Sequence, residues 1–298
     1  MPEIQEVAEK TFRLEAPLPQ VNNIFSVYLI QEGGGVLIEP GPAATTPYIQ
    51  EGMKKLGMKG LAYVIPTHIH LDHGGGVGRL ASLFPQAQVV LHPQGVRHMI
   101  DPARLIESTK MAFGPDWEQH YGPILPVPQA QVKTPQDGEV IPVDGRRLQI
   151  IYSPGHAPHH LSVLDQKTGG LFCGEALGVP EYGVDSPPLP YAAPPGFDLE
   201  VYLETMDKLR ALKPKILFYS HGGVGREPEK LIPLAKENAR AFGEIILKGL
   251  KAGETPEAIA SRVQDYMSQR FHFKPDKTDP VMTIAGYLFY FKKKQGLA

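Results

Sequence analysis

A cluster of side chains whose types bind metal ions lies within residues 68–73. It consists of His68, His70, Asp72 and His73. Neutral imidazole and carboxylate are the ligands that a borderline divalent ion such as zinc accepts in proteins. The cluster follows the apolar run 61–65, which we expect to be a strand, and the three glycines at 74–76 let the backbone approach a bound group closely. The cluster therefore predicts metal binding, against the alternative of a polar loop rich in histidine.

Three later residues occur in the same context, each just beyond an apolar strand pattern and beside a glycine. They are His156 after 147–152, Glu175 after 171–173, and His221 after 216–219. In a layered α/β fold, such strand ends can line one edge of the sheets, where sites commonly form. His68 and His70 are two residues apart, so on an extended backbone they would project from the same face. The repeated context predicts one centre assembled from distant parts of the chain.

These motifs, in this order, resemble the metallo-β-lactamase superfamily. Residues 68–73 have the form of its HxHxDH signature, and the Pro-Gly-His loop at His156, the strand-end acid Glu175 and the Ser-His at His221 match its later motifs. The resemblance covers roughly residues 10–225 and is nearest to the glyoxalase-II-like branch. It implies an α/β fold, a four-layer αββα sandwich with a helical C-terminal part.

The resemblance also implies a ligand set for two divalent ions. One ion would be held by His68, His70 and His156, and a second by Asp72, His73 and His221, with Glu175 bridging the pair. We expect zinc, with iron or manganese as alternatives. The family usually has aspartate at the bridge and at the strand end where this chain has Glu39, so the metal spacing and the filling of both positions stay open. Glu39 would still hydrogen-bond a ligand imidazole and fix its tautomer.

The chemistry implied by such a centre is hydrolysis. Two metal ions about 3.5–4 Å apart can hold a hydroxide at neutral pH. We hypothesise that this hydroxide attacks the carbonyl of a small ester, thioester or lactone, while Asp72 orients it and passes its proton to the leaving group. The G-x-S-x-G elbow of serine hydrolases is absent. Cys173 lies within a predicted strand, so we expect it in the core rather than as a nucleophile.

Three other functions stay open on the same fold. Phosphodiester cleavage is the nearest alternative, although the slightly acidic net charge of -2 disfavours a nucleic-acid substrate. An iron-dependent, oxygen-consuming enzyme is another, because histidine and carboxylate ligands also suit iron. A metal-binding protein without turnover is the third.

The elements that must position these residues alternate between strands and helices along the chain. We predict a hairpin over 24–30 and 36–38, a helix over 46–56, a βαβ unit over 61–65, 77–83 and 88–92, and a helical insertion over about 93–128. Strands are then predicted at 139–143, 147–152, 161–164, 170–173 and 215–219. A long loop covers 178–196, and helices cover 198–212, 228–250, 255–268 and 279–293. We interpret residues 1–298 as a single domain with a core over about 1–225 and a helical C-terminal part over 226–298.

Composition limits the partners. In 298 residues, 42% are hydrophobic and 21% are charged, which is typical of a globular protein. The resemblance implies a small-molecule substrate. The net charge gives no general attraction to nucleic acid or to an anionic membrane. Cys173 is the only cysteine and no secretion signal is visible, so we expect a cytoplasmic protein without an internal disulfide. The apolar stretch 281–291 is shorter than the ~20 residues of a membrane-spanning helix.

Several other side chains have two interpretations each. His159 and His160 either support the site or lie at the surface, and His92, His98 and His120 are expected to be structural or exposed. The aromatic residues Trp117, Tyr121, Tyr182 and Tyr191 either pack or cover an apolar pocket, and Arg97, Lys110 and Arg226 are candidate contacts for a substrate anion. The last helix is apolar nearly all round, so we expect it in the core or against a second subunit of a homodimer.

Overall fold

A computed structural model describes residues 3–21, 23–180, 183, 185–272 and 280–295. The chain groups into two compact units. Unit 1 comprises Met1–Tyr152, His159–Gly174 and Pro214–Arg226, and unit 2 comprises Ser153–Pro158, Glu175–Lys213 and Glu227–Ala298. The single-domain interpretation stays a prediction.

Unit 1 contains two β-sheets. The first has seven strands in the order β1 to β7: Ile4–Ala8, Thr11–Leu18, Asn23–Ile30, Val36–Ile38, Tyr63–Ile65, Gln88–Val90 and Val132–Lys133. The second has six strands, β8 to β13, in the reverse order: Val140–Val143, Arg146–Tyr152, Leu161–Asp165, Gly170–Gly174, Ile216–Tyr219 and Val224–Gly225. Strands β4 to β7 pair in parallel, and so do β11 and β12. The carboxyl ends of parallel strands meet at one edge of a sheet. In the sequence, ligand candidates follow strand ends of this kind.

Large apolar side chains from both sheets form one core of unit 1. Tyr28 of β3 packs against Phe172 of β11 and Phe218 of β12, with ring centroids 5.3 Å away in each case. The Tyr28 hydroxyl donates a hydrogen bond of 2.6 Å to the carbonyl of Tyr219, so its polar end is satisfied although it is fully buried. Strand β3 is buried over most of its length, which is typical of a central strand.

The other face of the seven-stranded sheet is covered by helices of unit 1. These are α1 to α6: Thr46–Lys55, Leu71–Gly74, Val77–Leu83, Pro93–Ile100, Ala103–Phe113 and Trp117–Tyr121. Leu80 of α3 and Met99 of α4 belong to the same buried cluster as Val64 and Val89 of the sheet. The predicted insertion at 93–128 is thus three helices, and the helix predicted at 77–83 is confirmed.

Unit 2 contains four longer helices, α7 to α10: Leu199–Ala211, Pro228–Lys251, Pro256–Phe271 and Pro280–Lys294. Ile284 and Tyr287 of α10 are fully buried, and the Tyr287 hydroxyl donates to the carbonyl of Ala239 in α8 at 3.0 Å. The apolar last helix therefore lies in the core of its unit, one of the two places expected from its sequence, and a homodimer stays a prediction. None of the helices in the described part of the chain combines the length and the hydropathy of a membrane span.

The backbone around the histidine cluster differs from the expectation. Strand β5 ends at Ile65, so His68 and His70 lie in a loop rather than on extended strand backbone. Asp72 and His73 lie in the single helical turn α2, a segment for which we predicted no helix. The difference arises because four residues are enough for one helical turn but too few to display a helical periodicity.

A buried arginine connects the two sheets at one edge of unit 1. The Arg146 guanidinium, on β9, bonds the carboxylates of Glu32 and Asp165 at 2.5 Å each, and it also donates to the Thr11 hydroxyl of β2 at 3.0 Å. Burial raises the pKa of Glu32, but hydrogen bonds from Arg146 and Lys167 outweigh it and lower the pKa to about 2. A buried charge with several partners is costly to leave uncompensated.

We therefore expect Arg146→Met to destabilise the protein, because the buried Asp165 would lose the guanidinium that pairs with it. The free energy of unfolding should fall by about 3–5 kcal/mol. Urea unfolding followed by circular dichroism measures this change. Arg147→Gln is the matched control, since Arg147 is exposed and its guanidinium bonds the Gln166 side chain, and it should stay within about 0.5 kcal/mol of wild type. Equal stability of both variants would contradict the role of Arg146.

Candidate metal centre

Two hydrogen bonds of the Thr67 backbone hold the ligand loop, residues 66–70, in place. The Thr67 backbone N–H donates to Oε1 of Glu39 at 3.0 Å, and the Thr67 carbonyl accepts from the N–H of Leu161 at 2.8 Å. After the loop, the chain turns so tightly that a Cβ on Gly74 would lie 2.9 Å from the Cα of Ile69. The glycines after the cluster are thus required for close approach of the backbone to itself, rather than to a ligand.

Four imidazoles of unit 1 come together at this loop. The Nε2 atom of His68 lies 3.0 Å from Nδ1 of His70, and the rings of His68 and His73 have centroids 3.9 Å apart. The ring of His221, which follows β12, lies 5.4 Å from that of His73. Two nitrogens bound at 2.0–2.1 Å to one tetrahedral ion would be about 3.3 Å apart, which is close to the spacing of the His68 and His70 atoms.

Asp72 lies beside two of these imidazoles. Its Oδ2 atom is 3.4 Å from Nε2 of His73 and 3.3 Å from Nε2 of His221, and its side chain keeps 25% of its surface exposed. Burial raises the pKa of Asp72, but the neighbouring His73 and His221 outweigh this effect and hold the pKa well below its usual range. Asp72 is therefore a carboxylate at neutral pH, as a metal ligand or an acceptor must be.

In unit 2, two further side chains of metal-binding type, those of His156 and Glu175, lie side by side. The Nε2 atom of His156 lies 2.8 Å from Oε2 of Glu175. The loop before His156 packs so closely on α7 that a Cβ on Gly155 would lie 2.3 Å from the Cα of Tyr202. The Tyr202 hydroxyl donates to the backbone carbonyl of Glu175 at 2.8 Å, which fixes the start of the segment after β11. Helix α7 thus positions both residues.

Three of the imidazoles share one arrangement, in which Nδ1 contacts a supporting group. Nδ1 of His73 donates to Oε2 of Glu39 at 2.5 Å, Nδ1 of His156 donates to the carbonyl of Tyr191 at 2.8 Å, and Nδ1 of His68 lies 3.1 Å from the Thr67 hydroxyl. Such contacts fix the orientation and tautomer of a ligand imidazole and leave Nε2 to the ion. Glu39 was expected in this role from the sequence. The Tyr191 carbonyl was missed, because a backbone acceptor leaves no sequence signal.

Two groups of side chains in the described part of the chain could hold metal ions. The first is His68, His70, His156 and Glu175, and the second is Asp72, His73, Glu175 and His221. Within each group the ligand atoms all lie within 4.8 Å of one another. The donor set of imidazole nitrogens and carboxylate oxygens suits zinc, iron or manganese. Each group contains residues predicted from the sequence, and their roles as ligands stay a prediction.

Cys173, His92 and Tyr121 belong to neither of these groups of the described residues. Cys173 is fully buried in β11, burial raises the pKa of its thiol, and its sulfur donates to the carbonyl of Phe218, so it belongs to the core as expected. His92 accepts the N–H of Gln94 at the first turn of α4, a structural role. Burial, followed by the nearby Asp72 carboxylate, raises the pKa of Tyr121 to about 12, so its phenol stays protonated at neutral pH. Tyr182, the other tyrosine of the 178–196 loop, lies outside the described residues.

Comparison with known proteins agrees with this geometry. Residues 22–221 match the sequence profile of the metallo-beta-lactamase superfamily. The metallo-beta-lactamase fold-containing protein ST1585 from Sulfurisphaera tokodaii is 30% identical over 167 residues, which are 55% of this chain and 61% of that protein. The solved structure of ST1585 superposes with a TM-score of 0.64 at 25% identity and covers 78% of this chain and 86% of that one. The fold predicted from the sequence is therefore confirmed.

Two further relatives have names that describe a reaction. An atrochrysone carboxyl ACP thioesterase from Aspergillus fumigatus is 27% identical over 244 residues, which are 76% of this chain and 64% of that protein. A hydroxyacylglutathione hydrolase from Synechococcus sp. is 24% identical over 164 residues, which are 55% of this chain and 52% of that protein. The chain thus spans less than two thirds of the length of these curated relatives.

The contact between Glu39 and His73 allows the centre to be tested without a substrate. Glu39→Gln should lower metal affinity by about 10–100-fold, because it removes the anionic acceptor that orients His73. Titration of the metal-free protein with Zn²⁺ against a competing chelator measures the affinity. Glu51→Gln, a change on α1 at a carboxylate that pairs with Lys55, is the control and should leave the affinity unchanged. Equal affinities of the Glu39 variant and the wild type would show that Glu39 does not support a metal ligand.

Proposed function

The chain belongs to the metallo-beta-lactamase superfamily, and on that premise we propose that it is a metal-dependent hydrolase of a small ester, thioester or lactone. The observation that carries the proposal is the pair of ligand groups, which includes an ionised and partly exposed aspartate. In this proposal His68, His70 and His156 would hold one ion, Asp72, His73 and His221 would hold a second, and Glu175 would serve both. Zinc is our first expectation for both. Divalent ions in such positions acidify water and polarise a carbonyl oxygen.

Asp72 is the residue to which we assign proton handling. Its contacts to His73 and His221 use Oδ2, so Oδ1 is left to accept a hydrogen bond from the attacking water. The low pKa of Asp72 favours the carboxylate that such acceptance requires. When the carbonyl–heteroatom bond breaks, the proton moves by way of Asp72 to the leaving alcohol or thiol. A carboxylate that both orients water and transfers its proton is a general base and then a general acid.

A thioester is the substrate class to test first. Two relatives carry the names of an ACP thioesterase and a hydroxyacylglutathione hydrolase, and both names describe the cleavage of an acyl group from a sulfur carrier. A small-molecule substrate also agrees with the net charge of -2, which gives no general attraction to nucleic acid. We further propose a cytoplasmic location, because the only cysteine is a buried free thiol.

The test is a substrate panel run on the purified chain loaded with Zn²⁺. The panel contains an acyl-glutathione, an acyl-coenzyme A, an aryl ester, an acyl lactone and an aryl phosphodiester. We expect turnover of at least one carbonyl substrate, with loss on chelation and recovery on return of the metal. Turnover of the phosphodiester alone would overturn the proposed substrate class, and full metal content without any turnover would overturn the enzyme assignment.

Two substitutions test the assigned residues on whichever substrate reacts. Asp72→Asn should lower kcat by about 100-fold or more, because it removes the proton acceptor while keeping the shape of the side chain. His70→Ala should abolish turnover through loss of one ion, and thermal unfolding of both variants should stay cooperative. His98→Gln, on α4 and outside both ligand groups, is the control and should keep wild-type turnover. Full activity of the Asp72 variant would refute the role given to it.

A further inference from the structure

The orientation of His156 depends on a backbone carbonyl in the long segment after β11. His156 is almost fully buried, and its Nδ1 atom donates to the carbonyl of Tyr191 at 2.8 Å. A carbonyl oxygen only accepts, so this contact keeps a proton on Nδ1 and fixes the plane of the ring. The position of the Tyr191 carbonyl therefore determines the orientation of this ligand candidate.

Helix α10 holds the residue that follows Tyr191. The N–H of Gly286 donates to the carbonyl of Ala192 at 3.0 Å. The approach is so close that a Cβ on Gly286 would lie 2.5 Å from the carbonyl carbon of Ala192. A glycine inside a helix costs about 0.5–1 kcal/mol relative to alanine, and at position 286 it is what allows this contact. Because both partners are backbone, neither could rotate away from an added side chain.

Helix α8 holds the same segment at a second point. The side-chain amide of Asn238, which is fully buried, donates to the carbonyl of Pro188 at 3.0 Å. The amide oxygen accepts from the Tyr266 hydroxyl at 3.2 Å, so both ends of the amide are bonded and its orientation is fixed. The two hydrogen bonds from α8 and α10 lie on either side of Tyr191 along the chain. Residues 188–192, which we call the support segment, are thus held by the C-terminal helices.

We propose that helices α8 and α10 set the orientation of His156 through the support segment, with Gly286 as a positioning residue that acts through the Tyr191 carbonyl. The inference rests on the metal centre of the proposed function and adds the C-terminal helices to what that centre requires. A ligand imidazole that loses its supporting contact binds its ion about 10–100-fold more weakly. Of the two ligand groups formed by the described residues, the first contains His156 and the second does not. Displacement of the support segment should therefore weaken one ion selectively.

The experiment measures the Zn²⁺ affinity of Gly286→Ala in two backgrounds, by titration of the metal-free protein against a competing chelator. His221→Ala leaves the first ligand group complete, and His70→Ala leaves the second complete. We expect Gly286→Ala to lower the affinity by about 10–100-fold in the first background, because it displaces the acceptor of a ligand imidazole, and to leave the second unchanged. Tyr287→Phe is the matched control, since it removes a hydrogen bond from α10 to a carbonyl of α8 instead, and it should keep the affinity of each background.

Asn238→Ala is the second variant, and it decides the question if Gly286→Ala does not fold. It removes the other hydrogen bond to the support segment. It should lower the affinity in the His221→Ala background alone, by a smaller factor than Gly286→Ala, because Pro188 is three residues from Tyr191. Circular dichroism establishes that each variant is folded.

The outcomes separate this inference from the proposed function. Unchanged affinity in folded Gly286→Ala, or in Asn238→Ala where the first variant does not fold, would overturn the inference alone. Equal losses in both backgrounds, or a loss of the same size in Tyr287→Phe, would make the helices a general support of the fold and would also overturn it. If the wild-type chain binds no Zn²⁺, the metal centre of the proposed function fails and the inference fails with it.

Discussion

The candidate centre depends on one short contact inside unit 1, between Glu39 and His73. Glu39 ends the segment after β4, its Oε2 accepts from His73 at 2.5 Å, and its Oε1 accepts from the backbone of Thr67. Its own N–H donates to the carbonyl of Ile65, the last residue of β5. Glu39 therefore joins the ends of two parallel strands and orients a ligand imidazole with the same carboxylate. Its φ of 57° lies in the left-handed region, which a non-glycine residue keeps only where surrounding contacts enforce it.

Many polar groups that are costly to bury lie around this contact. His68, His73 and Glu39 are almost fully buried. A buried polar group costs free energy unless it is paired, and a buried charge costs more. The supporting contacts orient three of the imidazoles, and a fixed orientation is what ligation of a cation requires. Asp72 differs from its neighbours because it is ionised and partly exposed, so it can contact both a cation and water.

Much of this arrangement could be predicted from the sequence, for physical reasons that differ between residues. Imidazole and carboxylate side chains that follow apolar strands have few roles other than metal ligation. The seven ligand candidates could therefore be predicted from the sequence pattern. The strands themselves were visible because buried β-branched and aromatic runs differ from their glycine-rich turns. The turn at 71–74 was not visible, since one helical turn has no periodicity. The Tyr191 carbonyl and the place of His159 beside His70 were not visible either, because both depend on where the folded backbone lies.

Metal stoichiometry tests whether the two side-chain groups each hold an ion. The metal-free chain would be incubated with excess Zn²⁺, freed of weakly bound metal, and measured by elemental analysis beside His70→Ala and His221→Ala. We expect two ions per chain for wild type and one for each variant, because each substitution removes a residue from a different group. No tightly bound ion in the wild-type chain, or two ions retained in both variants, would contradict it.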